Sequence, residues 1–416
     1  MRVLWILNLV LPKVASEINL KASFSGSWLI DYAEKLSNDP NVELATMTYA
    51  NVDKFYDITV DNIRNFVFPG GGKRLLFSSK KTVDDCQKVI DEFKPDLIHI
   101  HGTEYSMGYS MIKTDTKIPM LLTIQGILKR IYEEYYGGIS FPRILKMGTF
   151  KEWTKLKTQF IARQMYKKNA KRESFVLKNV KYATGRTLWD KVVMQSINPD
   201  LKYFRLNYNL RDEFYNAALW DASKMQPHTI YTCATSYPLK GLHVLLKAVA
   251  IVKKEYPDTK VFVIGGNIMK KKKPSGYEKY IKKMIIELGI EENIEFIGNK
   301  KSQEVVEMMQ KVNICIAPSA IEGASATIRE AMMIGTPCIC SYRGGMTDLL
   351  RDGESGFFYD FPEYGVLAER IKQLFSDVAL CEKFSKNEIE DAKIRHDREK
   401  NYSELIQIYE EVAKKI

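Results

Sequence analysis

Short runs of β-branched and apolar residues alternate with helix-period segments twice along this chain, and that alternation points to parallel, doubly wound α/β architecture. In the first run VLWILNLVL precedes a Ser/Gly stretch, ASFSGS, and the helical pattern WLIDYAEKL; VELATMTYA, a helix around residues 80 to 94, DLIHIH and PMLLTIQG follow. After Pro142 the pattern gives way to a long basic helical stretch, then GRTLWDKVVMQSI, then a polar segment near 207–227 with no clear period. From His228 the alternation restarts with TIYTCAT, GLHVLLKAVAIVKKEY, KVFVIGG, a helix from about 276 to 288, IEFIG, NICIAP, ATIREAMMIG and PCICS. Leu242, Leu245, Leu246, Val249 and Val252 recur at helical spacing, so the helix after Lys240 buries one face. The expectation is two domains, 1–206 and 228–394, joined by a linker at 207–227, with a C-terminal helix at about 395–416 packing back on the first domain. Two such domains usually hold a ligand between them, at the carboxyl ends of their strands.

With 416 residues, 45% hydrophobic and 27% charged, the chain has enough apolar surface for real cores and is not a disordered protein. No run approaches the ~20 apolar residues of a membrane helix. The opening MRVLWILNLVLPKV is broken by Asn8 and closed by Pro12 without a small-residue cleavage site, so it reads as a first strand of a cytoplasmic protein rather than a signal peptide. Six scattered cysteines show no C-x-x-C spacing and read as reduced and inert. The skewed number is charge: 62 Lys+Arg against 51 Asp+Glu, a net +11 that favours an anionic partner. Residues 143–186 hold 13 of those bases against only Glu152 and Glu173, which accounts for the whole excess. With Phe150, Trp153, Phe160, Tyr166 and Phe175 in the same stretch, the pattern is that of a segment lying on an anionic membrane surface, or of a solvated basic helix.

The most informative stretch is PSAIEGASATIREAMMIGTP, residues 318–337. A strand ends in a small-residue loop, a helix begins near Ser325, and Glu322 and Glu330 lie eight apart on either side of the helix start. Free backbone N–H groups and the helix dipole at such a turn attract an anion, and a glutamate there can grip hydroxyls of whatever carries the phosphate. Thr327 and Glu330 also fit a T-x-x-E capping box, with Gly335 and Pro337 ending the helix, and that purely structural account stays open. Lys240, followed by Gly241, enters a helix after another strand of the same series, where its ammonium can reach a phosphate; a solvated surface lysine is the plainer account. Both positions fall at carboxyl ends of strands of one sheet, and together they describe a site for a diphosphate and a sugar.

Glu322 and Glu330 at E-x7-E spacing, the Lys240-Gly241 pair and the later GGMTDLLRDGESGFFYD resemble the retaining glycosyltransferases of family GT4, strongly over residues 228–375 and more loosely in the first half. The resemblance implies a GT-B fold, α/β with two Rossmann-like doubly wound parallel-sheet domains facing a central cleft, and transfer of a sugar from a nucleoside diphosphate sugar to a hydroxyl acceptor with retention. It implies that Lys240 and Glu322 are catalytic, Lys240 neutralising the leaving diphosphate and Glu322, with the backbone of Gly323, Ala324 and Ser325, holding the donor sugar. It further implies that Glu330 binds the ribose, that Ile297, Gly298 and Asn299 lie near the base, and that the loop at Gly26 covers the diphosphate. His101, at the end of a strand, and Gln125 are the acceptor-side or auxiliary candidates. Lysine and helix starts take the place of a metal, so no metal and no other cofactor is expected.

Three positions depart from the family pattern: Thr235 stands where an Arg is usual, Gln125 where a His is usual, and Asp348 where a Glu is usual. Arg186, at the start of an apparent helix in the first domain, is the expected substitute for the missing cation. The PGGGKR loop at 69–74 lacks P-loop spacing, the lysine run at 270–273 has the composition of a solvated loop, and His99 with His101 alone make no metal site. A lipid-linked or growing glycan in surface polysaccharide biosynthesis is the expected acceptor, with the enzyme peripheral on the inner face of the membrane. A nucleotide-sugar epimerase on the same fold is the alternative, and a nucleic-acid-binding protein a weaker one, since nucleic acid is not an expected partner.

Overall fold

The computed structural model describes residues 1–21, 27–70, 78–234 and 237–414, leaving aside the side chains of 27 and 28. The chain divides into two compact units. The first comprises Met1–Lys129, Lys167–Asn209 and His396–Ile416, and the second Arg130–Tyr166 and Leu210–Arg395.

Among the described residues the first unit holds strands β1 (Arg2–Ile6), β2 (Glu43–Ala50), β3 (Tyr56–Val60), β4 (Ile63–Pro69), β5 (Leu97–His101), β6 (Met120–Thr123), β7 (Tyr182–Gly185) and β8 (Lys202–Arg205). They form one sheet in the order β3-β4-β2-β1-β5-β6-β7-β8. All its neighbours run parallel except β3 with β4, a hairpin closed by Asp61 and Asn62 at φ 49° and 61°. That hairpin was not evident in the alternation, because β3 lies at the sheet edge with alternate residues exposed and carries no apolar run. Strand β1 is buried on both faces, Leu4 and Ile6 in one core and Val3 and Trp5 in the other, which is why it reads as a continuous apolar run.

The C-terminal helix Arg398–Ala413 joins the second of those cores through Leu405, Tyr409 and Val412. Trp5 Nε1 donates to the Tyr409 hydroxyl at 2.8 Å, which leaves the hydroxyl hydrogen for His99 Nδ1 at 2.7 Å and the ring's Nε2–H for Thr123 Oγ1 at 2.6 Å. Burial lowers the His99 pKa to about 3, so the imidazole is neutral and this chain of bonds needs no charge.

In the second unit the described residues form a six-stranded parallel sheet: β9 (Gln226–Thr232), β10 (Lys260–Ile264), β11 (Ile294–Gly298), β12 (Val312–Ala317), β13 (Cys338–Ser341) and β14 (Phe357–Tyr359). The order is β11-β10-β9-β12-β13-β14, so the chain builds outward from β9 to β11, then returns to lay β12 against the other edge of β9. The carboxyl ends of β9 and β12 thus flank a topological switch point, where helices lead away on opposite faces and leave a crevice.

Two segments pack differently from the sequence expectation. The basic stretch is not one helix of the first domain: it forms helices Phe141–Met147, Phe150–Thr154 and Gln159–Asn179, and residues up to Tyr166 belong to the second unit. The physical reason is a set of anchors there: His243 Nε2 bonds the Gly137 carbonyl at 2.8 Å, Gly276 N–H donates to Glu152 Oε2 at 2.9 Å, and Tyr135 stacks on Tyr237. The polar segment 207–227 is not a free linker either. Trp220 donates from Nε1 to the Val312 carbonyl and from its backbone to Ile334, both at 2.8 Å, and β9 already begins at Gln226.

Replacing Tyr409 by Phe keeps the packing but strands the Trp5 N–H and His99 Nδ1 in a dry core. The variant is expected to lose about 1–3 kcal/mol of stability, measurable as a lower denaturant midpoint with unchanged slope.

Candidate functional site

Lys240 follows β9 through the short turn Pro238–Lys240, and Glu322 follows β12. Neighbouring strands of a parallel sheet bring these two loops together, and backbone bonds then hold them: Ala320 N–H donates to the Leu239 carbonyl at 2.8 Å, and Gly345 N–H to the Glu322 carbonyl at 2.9 Å. Gly241 has φ 72°, and a Cβ there would overlap the Pro318 carbonyl, so glycine is what lets the two loops touch. The Lys240 ammonium reaches the Glu322 carboxylate, which also accepts from Ser319 Oγ at 3.0 Å. Glu322 is the main cause that raises the Lys240 pKa, so this half-buried ammonium is fully charged at neutral pH.

Lys240, Glu322 and Ser325 line one pocket, together with Thr232, Cys233 and Thr327. The Cys233 thiol is pushed up to about 11 by burial, which leaves it inert as a nucleophile. The helix Ala326–Ile334 starts at the pocket with Ser325 in the N-cap position, and the Ser325 side chain makes no cap bond to its first N–H groups. The capping-box account of Thr327 and Glu330 is therefore not what the protein does: Thr327 lies inside the helix, and the Glu330 carboxylate turns to Arg211 instead.

Arg211 was not singled out by the sequence. It lies within the polar segment, directly after Leu210, donates from Nη2 to Glu330 Oε1 at 2.7 Å and from Nη1 to Ser302 Oγ at 2.7 Å, and lies over the Phe214 ring. The guanidinium thereby ties Glu330 to the start of helix Ser302–Lys311, just beyond Ile297, Gly298 and Asn299 at the end of β11. Burial raises the Glu330 pKa, Arg211 and then Arg329 lower it, and Glu213 raises it. Its only advance signal was an arginine beside two acids in a segment without period.

Gly323 and Ala324 lie in the loop between Glu322 and the helix start. Gly26 and Thr235 lie outside the described residues. Asp348 lies in the turn Gly344–Asp348 and accepts through its backbone carbonyl from Arg395 at 2.5 Å. The lysine run behaves as a solvated loop in which Lys271 pairs with Glu278 at 2.7 Å.

The first unit repeats the switch-point arrangement, since β1 lies between β2 and β5. A small pocket opens there beside Asn8, His101, Gly102 and Tyr105. His101 is buried, with its ring 3.8 Å from His99 and 4.6 Å from Trp5 between centroids, and burial holds its pKa well below the usual imidazole value. Gln125 is half-buried at the end of β6. Arg186 does not present a cation as expected: it is 6% exposed, its guanidinium donates to the Gln125 carbonyl at 2.6 Å and lies 4.6 Å over the Tyr208 ring. It joins the ends of β6 and β7, and the cation next to the candidate ribose residue is Arg211 of the other unit.

Two parallel α/β units with switch-point sites define a GT-B-like fold. The chain superposes along nearly its whole length on solved members of that class. Sucrose-phosphate synthase from Thermosynechococcus elongatus gives a TM-score of 0.72 at 14% identity, covering 99% of this chain and 98% of that one. Anabaena Alr3699/HepE, solved with UDP and glucose, gives 0.69 at 16% identity, covering 99% and 100%. Residues 221–391 match the family described as Glycosyl transferases group 1. Among curated relatives, D-inositol 3-phosphate glycosyltransferase of Corynebacterium urealyticum is 32% identical over 145 residues, 33% of this chain and 32% of its own. Spore coat protein SA of Bacillus subtilis is 26% identical over 176 residues, 41% and 46% respectively. The chain thus spans about a third to a half of these relatives' length.

Because the folded-state pKa of Glu330 is raised, its ionised form opposes folding once pH exceeds the ordinary carboxyl range, and Arg211 offsets that opposition. In Arg211→Gln, stability at pH 8 is expected to fall by about 1–3 kcal/mol, and the deficit to shrink on acidification as Glu330 takes up its proton. Melting temperatures of both proteins between pH 4 and 8 measure it.

Proposed function

We propose that this protein is a retaining glycosyltransferase that moves a hexose from a nucleoside diphosphate sugar to a hydroxyl acceptor. The observation that carries this reading is the meeting of Lys240 with Glu322 across the β9/β12 switch point, inside the segment that matches the family, with Glu330 of the same segment held by Arg211 from just before it. One carboxylate lining the pocket and a second one eight positions on, each held by a cation, suit a ligand that is a phosphate at its centre and a polyol at both ends.

In this reading Glu330 accepts hydroxyl hydrogens of the ribose, held in place by Arg211. The diphosphate lies against Lys240 and the uncapped start of helix Ala326–Ile334. Glu322 is released from Lys240 to the sugar hydroxyls as the phosphate takes the ammonium's charge, with the Gly323, Ala324 and Ser325 backbone beside it. Ile297, Gly298 and Asn299 border the base; the complex solved for Alr3699/HepE holds UDP, and UDP-sugars are the donors proposed here. His101 and Gln125 are assigned to the acceptor, Gly26 and Thr235 to the donor phosphates.

The bond from the anomeric carbon to the diphosphate oxygen breaks while the acceptor oxygen bonds that carbon on the same face. The acceptor's proton passes to the departing phosphate oxygen. Negative charge grows on the diphosphate as the bond lengthens, and Lys240 with the helix N–H groups meets it where a metal would otherwise stand. The proposed acceptor is a lipid-linked or growing glycan of a surface polysaccharide; the neighbour WaaB is a lipopolysaccharide outer core galactosyltransferase, similar at a TM-score of 0.62 and 14% identity.

A panel of nucleotide sugars scored by thermal shift tests this. A UDP-sugar is expected to raise the melting temperature of the wild type and not that of Glu330→Ala, and Lys240→Ala is expected to lower kcat by about 10²–10³-fold. Stabilisation by no nucleotide sugar overturns the reading, and conversion of donor to an epimeric sugar without acceptor replaces it with an epimerase.

A further inference from the structure

Residues 141–157 of the second unit present a surface that donor chemistry does not use. Its inner side is fixed: Glu152 accepts from Thr149 N–H at 2.9 Å, Thr149 Oγ1 at 2.8 Å and Gly276 N–H at 2.9 Å, and Arg143 lies over the Tyr280 ring. Glu152 is the sole acid of this stretch, so its charge is spent inward. Facing out are Lys146, Lys151, Lys155 and Lys157, all exposed.

Large apolar side chains share that outer side. Phe150 is 85% exposed, Leu156 67%, Phe141 50% and Trp153 38%. Scattered exposed apolar residues are ordinary, but these are gathered: Phe141 and Trp153 both pack on Phe160, with ring centroids 6.0 and 6.4 Å away. Leu156 adds an independent sign. It holds φ 52°, a left-handed conformation disfavoured for a side chain of this size, while projecting into water. Strain that serves to expose an apolar side chain is characteristic of a contact site.

We propose that Phe150, Trp153, Leu156, Lys151, Lys155 and Lys157 form a docking surface for an anionic lipid bilayer. The charge is complementary to phospholipid headgroups, and the one acid within residues 141–157, Glu152, is bonded inward. The apolar residues need a medium that takes them out of water, which a soluble polyanion does not provide. Phe and Leu enter the acyl boundary, Trp lies at the headgroup level, and the lysine stems run along the apolar surface to keep their ammonium groups at the phosphates. The inference narrows the basic stretch to its first third. It rests on the transferase reading only in that a lipid-linked acceptor would lie in the same bilayer.

Sedimentation of the full chain with phosphatidylglycerol-containing vesicles, against pure phosphatidylcholine vesicles, tests it. The wild type is expected to pellet with the anionic vesicles at low salt and to be released at high salt. Phe150→Ala/Leu156→Ala and Lys151→Glu/Lys155→Glu are each expected to lower partitioning about tenfold or more, with melting temperature and donor-induced thermal shift unchanged. Wild type remaining in solution at low salt overturns the proposal. So does an apolar double variant that binds like wild type, which would mark a purely electrostatic contact of the kind any soluble polyanion makes. Vesicle binding without a donor-induced shift would overturn the transferase reading and leave the surface standing.

Discussion

The return of β12 to the free edge of β9 is the constraint on which the candidate site depends. In a parallel sheet every crossover must be right-handed, so a chain that first builds outward and then reverses sends its connections to opposite faces. The loops after β9 and β12 are left as neighbours with no helix between them. Lys240 and Glu322 are 82 positions apart and meet because of that reversal alone. The Leu239–Ala320 backbone bond and the absence of a Cβ at Gly241 then bring the loops within side-chain reach.

Electrostatics completes the arrangement. A carboxylate half removed from water is costly unless a cation stands by, and both glutamates have one: Lys240 for Glu322 and Arg211 for Glu330. Such pairs offset the cost of burying these groups without a ligand. They also make the site exchangeable, since an incoming phosphate can take over the ammonium and hydroxyls can take over the carboxylates. Arg186, the cation expected from the sequence, is instead spent on carbonyls at the ends of β6 and β7.

How much was legible in advance follows the range of the interactions. Strands such as Leu97–His101 and Val312–Ala317 and the helix Gly276–Glu287 stand close to where their patterns put them, because burial on both faces or on one stripe writes itself into consecutive residues. The β3–β4 hairpin left no such mark, being an exposed edge. The capping box at Thr327 was a local pattern that a distant residue overrode: Arg211 offers Glu330 a charged partner, which is worth more than one backbone N–H. The basic stretch was recognisable by composition, yet its division between two units depends on Glu152 and Gly137 finding partners more than a hundred positions away.

By itself, then, the sequence determined the two α/β series, the strand-loop-helix turns and the E-x7-E spacing, since each follows from contacts within a few residues along the chain. Only the tertiary structure decided that Arg211 guards Glu330, that Tyr409 of the last helix holds His99 of β5, and which side of residues 141–157 faces water. Those are pairings between residues brought together by sheet order and packing, and no local pattern of charge or hydrophobicity encodes a partner that far away.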